Sequence, residues 1–160
     1  MNLQERINAF SELGNVLHSI EEGDKNDLFR QAVNHNPWFT SNQCETALGG
    51  ISKFLVKDAL QEWTNLYKPE PGSPRKVGVV MAGNIPLVGF HDLLCVLISG
   101  HQLAAKLSSQ DRILMQYVID QLVRIDPRFK DQIVLTERMN DAQAVIATGT
   151  LLLPARLPDK

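Results

Sequence analysis

Val77-Gly78-Val79-Val80-Met81-Ala82-Gly83-Asn84-Ile85-Pro86 is the stretch on which the fold turns. Val77 to Met81 is a continuous apolar run of strand length, the pattern of a strand buried on both faces of a parallel sheet. The glycine, asparagine and proline that follow stop it. An apolar helix over roughly Val88 to Ser99 comes next, closed by Gly100. Gln102 to Leu107 reads as a second strand. Ser108 or Ser109 can then cap a helix whose buried side carries Ile113, Leu114, Tyr117, Val118, Leu122 and Val123. Gln132 to Thr136 and Ala144 to Ala147 read as further strands. The order β-α-β-α-β, with a strand to follow, predicts an α/β protein: a Rossmann-like parallel sheet with right-handed crossovers and helices on its faces. Ligands of such sheets sit at the carboxyl ends of the strands. Those ends are Met81-Ala82-Gly83-Asn84, Lys106-Leu107-Ser108-Ser109 and Thr148-Gly149-Thr150.

Upstream the period changes. Leu3, Ile7, Phe10, Leu13, Leu17 and Ile20 recur at spacings of three and four, one apolar stripe of a helix that Gly23 is expected to end. A short helix around Asp27 to Asn34 follows and stops at Asn36-Pro37. Thr40 and Gln43 have the spacing of a capping box, in which each side chain satisfies an orphan donor at the helix start, and Cys44, Leu48, Ile51 and Leu55 line one face beyond it. A last helical stretch carries Leu60, Trp63 and Tyr67. The prolines of Lys68 to Pro74 then end helical structure. The organisation expected is a helical segment over 1–70, a partial nucleotide-binding α/β unit over 71–150 and an atypical tail over 151–160.

Net charge is −2 over 160 residues, with acidic and basic side chains interspersed. Nothing resembles the basic stripe that a phosphate backbone requires, so nucleic acid is not an expected partner. Cys44 and Cys95 match no metal spacing and no CxxC motif, and they read as small core thiols in a reducing, cytoplasmic compartment. No His pair has metal spacing either, so no metal is expected. The N-terminus lacks an apolar signal core. The most apolar stretch, Ile85 to Ser99, is too short to span a bilayer and contains His91 and Asp92. An unpaired sheet edge predicts self-association, hence a homo-oligomer.

The first turn lacks G-x-G-x-x-G, which disfavours a conventional dehydrogenase loop. The pieces VGVVMAGNIP, QLAAKLSSQD and AVIATGT instead resemble the aldehyde dehydrogenase superfamily, where one strand ends in a turn with Asn and Pro and the next in Lys with small polar residues. MAGNIPLVGFHDLLCVLISGH is similar to its acyl-CoA reductase branch, typified by the bioluminescence fatty-acid reductases, and in particular to Bacteroides-like members. The similarity runs from residue 1 to about Gly149 and includes NPWFT.

The resemblance implies reduction of a long-chain acyl-CoA to the fatty aldehyde through a cysteine thioester, with NADPH as cofactor and NADH less favoured. It implies that Asn84 is catalytic, its amide forming an oxyanion hole, a service worth about 3 kcal/mol of barrier. Read from the residue alone, Asn84 is an ordinary turn former. Lys106 matches the lysine that hydrogen-bonds the adenosine ribose; otherwise it is a solvated lysine leaving a strand. Ser109 falls where NAD-preferring relatives carry Glu, and the missing carboxylate points to NADPH, although Ser108 and Ser109 also suit a helix N-cap. Met81, Ala82, Gly83, Ser108, Thr148 and Gly149 complete the implied cofactor site, with Thr148-Gly149 turning toward the diphosphate.

Two departures follow from the same resemblance. Relatives continue after Thr-Gly with a polar helix, whereas here Leu151-Leu152-Leu153-Pro154 opens a stretch that suits no such helix and reads as a non-native tail. The family's nucleophilic cysteine belongs beyond residue 160, so the chain is expected to be an N-terminal portion, inactive alone. The alternative is a non-catalytic nucleotide-binding or protein-interaction module.

Overall fold

The computed structural model describes residues 1–67 and 73–148. Gly149, the tail over 151–160 and most of the Lys68 to Pro74 linker lie outside the described residues. In chain order the elements are α1 (Leu3–His18), α2 (Glu22–His35), α3 (Ser41–Phe54), α4 (Lys57–Asn65), β1 (Lys76–Val80), α5 (Phe90–Ile98), β2 (Gln102–Lys106), α6 (Arg112–Ile125), a 3-10 turn (Pro127–Asp131), β3 (Ile133–Leu135) and β4 (Ala144–Ala147). The described residues thus form an α/β structure of six α-helices and a four-stranded parallel sheet in the order β3-β2-β1-β4.

Local chemistry sets the helix starts. Asn2 Oδ1 accepts from the Glu5 amide at 2.8 Å while Glu5 Oε2 accepts from the Asn2 amide at 2.7 Å, a capping box that satisfies two orphan donors of α1. Thr40 and Gln43 form the expected box on α3, at 3.2 and 2.9 Å. Gly23 does not end α1, which stops at His18. It sits in the first turn of α2, which is longer than expected because Glu22 and Asp24 complement the helix dipole there. Gly100 closes α5 as expected, with φ +85°.

β1 lies between β2 and β4, and register aligns Val77 with Leu103 and Ala144, Val79 with Ala105 and Ile146. Val79, Leu103 and Ala105 are fully buried on the face that α5 covers. The opposite face is built differently from the expected helical cover. Residues 136–143 join β3 to β4 without a helix and lay Met139 and Ala142 against Gly78, where a Cβ would come within 2.9 Å of Met139 Sδ. Gly78 is therefore what lets this connection cross the centre of the sheet. Toward the edges that face is open: Val134 on β3 and Val145 on β4 are both about half exposed.

The helical segment and the sheet share one hydrophobic core, running from Phe10 and Leu13 on α1 through Leu93 and Leu97 on α5 to Leu114 and Val118 on α6. Phe10 meets Phe129 of the 3-10 turn edge-on, with ring centres 5.7 Å apart. Arg128 clasps the same junction by pairing with Glu5 and Asp126. Among the described residues no helix is long and apolar enough to cross a membrane. Phe10→Ala should cost about 3–5 kcal/mol and lower the urea midpoint of helical and fluorescence signals together. Two separate transitions would show that the helical segment unfolds independently of the sheet.

Candidate functional site

Three strand ends meet at the carboxyl side of the sheet. The Met81 amide donates to the Lys106 carbonyl at 3.0 Å and the Thr148 amide donates to the Val80 carbonyl at 3.2 Å, so the segments after β1, β2 and β4 are immediate neighbours. The strand order reverses between β1 and β4, the position where such sheets bind ligands. Thr148 stands there, its Oγ1 buried and without a hydrogen-bond partner among the described residues.

The turn after β1 is held from beneath. Leu87 adopts φ +59°, a left-handed conformation that a branched side chain disfavours, and its amide donates to Asp111 Oδ2 at 2.6 Å. Asn84 and Ile85 are consequently on the outside of the turn and exposed. Gly83 is pressed onto the β2 loop: a Cβ there would lie 2.5 Å from the Ser108 Cβ. Met81 is a core residue at this point, 4% exposed and packed beneath Gly89. Its backbone, not its side chain, faces the site.

Neither serine caps α6. The helix begins at Arg112 with Asp111 as the N-cap residue, and Asp111 turns its carboxylate to Leu87 instead of to its own helix. Ser108 Oγ accepts from the Gln110 amide at 3.2 Å and shapes the loop. Ser109 is exposed, and its carbonyl accepts from His35 at 2.6 Å, which places the proton on His35 Nε2 because a carbonyl can only accept. Asn36, itself buried, donates to the Gln110 carbonyl at 3.3 Å. The helical segment thus grips the loop that carries Ser108 and Ser109.

Lys106 Nζ pairs with Glu137 Oε2 at 3.4 Å, both side chains being substantially exposed. Glu137, Asp111, His35 and Asn36 were not among the site residues expected from the sequence, where Asn36 stood only as part of a helix stop. Only Asp111 left a local signal there, as an acid directly before an apolar helix.

The two thiols differ in setting. Cys44 is buried, and burial, then the nearby Asp111, push its pKa up. Cys95 is only partly buried, contrary to a core reading, and its Sγ lies 3.7 Å from His91 Nδ1 one helical turn away. Burial, then Asp92, push its pKa up too, so neither is an activated thiolate. Among the described residues no group of three or more His, Cys, Asp or Glu side chains could hold a metal ion. No protein-family model and no curated protein matches the chain.

Asp111 is the electrostatic anomaly of the site. Its Oδ1 is buried without a partner, and burial lifts its pKa to about 7, opposed by the bond from Leu87. An unfolded Asp ionises near about 4. The folded state therefore retains a proton that the unfolded state has lost, and this contribution to stability is complete below about pH 4 and lost as pH rises through about 7. Asp111→Asn keeps an acceptor for Leu87 and never ionises. Denaturation across pH 4–8 should show a flatter stability profile for the variant than for the native chain, with a gain of order 1 kcal/mol or more at pH 8. Parallel profiles would mean that Asp111 does not titrate in this range.

Proposed function

We propose that this chain forms the nucleotide-binding portion of an NADPH-dependent acyl-CoA reductase with the Rossmann-like sheet of the aldehyde dehydrogenase superfamily. The reaction class is reduction of a long-chain acyl-CoA to the fatty aldehyde in the cytoplasm. The observation that supports the reading is that the segments at the ends of β2 and β4, which carry Lys106 and Thr148, flank the end of β1, beside which the strand order reverses.

The chain's own groups suit a dinucleotide in part. Lys106 offers a flexible cationic donor beside the first loop. Thr148 Oγ1, without a partner among the described residues, is a hydroxyl that a polar ligand would satisfy. Gly83 fits less well, since the space a phosphate would approach holds Ser108. Bound there, NADPH would supply hydride. Asn84, exposed on a turn pinned by Asp111, would offer its amide to the oxygen that gains negative charge. An apolar groove of about 280 Å³ between α3 and the start of α5, lined by Ile51, Phe54, Val88 and Phe90, adjoins the same turn and suits a hydrocarbon chain. Neither Cys44 nor Cys95 suits the thioester step, so the part proposed for these residues is nucleotide binding, and the second reading is a nucleotide-binding module without its own reaction.

Calorimetric titration tests the shared premise. NADPH should bind more tightly than NADH, and Lys106→Ala should weaken it by about tenfold, the value of one charge-assisted hydrogen bond. Glu137→Gln should strengthen it by removing a carboxylate that competes for Lys106, and Asn84→Ala should leave it unchanged. Absence of binding by either nucleotide would sink both readings. Binding without aldehyde formation from acyl-CoA is the outcome expected of both, because neither Cys44 nor Cys95 suits the thioester step.

A further inference from the structure

A second cleft lies at the opposite end of the strands. It measures about 670 Å³ and opens between the start of α1, the end of α4, the end of α5 and the residues leading into β1 and β2. That volume is in the usual range of small-ligand sites, roughly 300–1,000 Å³. Leu3, Trp63 and Ile98 give it apolar walls, and Arg6, Arg75 and His101 bring it polar hydrogens.

Arg6 is the informative residue. It is partly buried, and burial works against its charge. Its Nε donates to the Ile98 carbonyl at 2.8 Å and its Nη1 to the Met1 carbonyl, bonds that orient the guanidinium without neutralising it. The carboxylate that acts on it, Glu5, is already committed to Arg128. Arg6 makes no ion pair among the described residues, although buried charges are ordinarily paired. The α5–β2 turn is shaped around it: a Cβ on Gly100 would lie 3.1 Å from the guanidinium carbon.

The neighbouring groups have the same polarity. The Arg75 amide donates to His101 Nδ1 at 3.3 Å, so the imidazole carries its proton on Nε2 and presents a donor there. Trp63 and Tyr67 meet edge to face at 6.4 Å, and both rings line the cleft. A cleft with apolar walls and two guanidinium groups suits an anion that carries a hydrophobic body.

We propose that this cleft binds a small organic anion, its carboxylate or phosphate head held by Arg6, Arg75 and His101 and its apolar body lying against Trp63, Leu3 and Ile98. The site is separate from the carboxyl ends of the strands and does not depend on the nucleotide reading.

The test is titration of the purified chain, by calorimetry and Trp fluorescence, with octanoate, octyl phosphate, neutral octanol and inorganic phosphate. At least one of the two amphiphilic anions should bind, with octanol and inorganic phosphate weaker by about tenfold or more. The ranking of octanoate against octyl phosphate identifies the head group. Arg75→Gln should weaken the anion by about tenfold, and Trp63→Leu should weaken it too. Arg6→Gln should do more, but Arg6 also ties Met1 to Ile98, so Arg75→Gln, checked for native circular dichroism, is the deciding variant. Saturating NADPH should not displace the anion. The proposal is overturned if neither amphiphile binds, if octanol binds equally, if Arg75→Gln changes nothing, or if NADPH competes.

Discussion

A buried carboxyl group holds the carboxyl end of the sheet together. Asp111 accepts the Leu87 amide at 2.6 Å and thereby keeps the chain in a left-handed turn that leucine would otherwise avoid. The backbone strain is of order 1–2 kcal/mol, comparable with the roughly 1–3 kcal/mol that leaving the buried Leu87 amide without a partner would cost. The turn then throws Asn84 outward and sets Gly83 onto Ser108, so the ends of β1 and β2 and the start of α6 are tied together. Asp111 forgoes capping its own helix to do this. The α6 start is left with a neighbouring turn in place of a side-chain cap.

The same loop is held from its other side by the helical segment. His35 reaches the Ser109 carbonyl, and the Asn36 amide group bonds at both ends, donating to Gln110 and accepting from Trp38. A buried asparagine satisfied in this way fixes geometry as well as stability. With one continuous core behind it, the segment before β1 belongs to the site's architecture, and a shift at the corner between α2 and α3 would be felt at Ser108.

The strands were legible because buried parallel strands are apolar runs bounded by turn formers: β4 falls on the expected residues, and β1 and β2 lie within one residue of theirs. The capping box at Thr40 was legible for the same local reason. What escaped depends on contacts distant in sequence. Gly23 looks like a stop signal but sits where a helix start tolerates it. The crossing of 136–143 is marked in sequence only by Gly78, whose missing Cβ has meaning once Met139 is seen above it. Ser109 is not the helix cap it was expected to be, and the N-cap position falls to Asp111, whose buried carboxyl group bonds Leu87, a contact that no local pattern reports. The cleft at the other end draws on Arg6, Trp63, Arg75 and His101, four separate segments without a shared motif.

Glu137 bears most directly on the proposed cofactor preference. The expectation of NADPH rests on a resemblance, a serine at position 109 where NAD-preferring members of the resembled superfamily carry Glu, and Ser109 is exposed. A carboxylate nevertheless stands beside Lys106, supplied by the loop after β3. On the proposed reading its position next to the lysine would give it two options: to accept from ribose hydroxyls or to repel a 2′-phosphate. The pair is exposed, so its strength is about 0–1 kcal/mol and screened by salt. A phosphate dianion offers Lys106 more charge than one carboxylate, and Glu137 is exposed enough to turn away into solvent. On the proposed reading, then, Glu137 would act on the preference through Lys106, and Ser109 would contribute chiefly by leaving room.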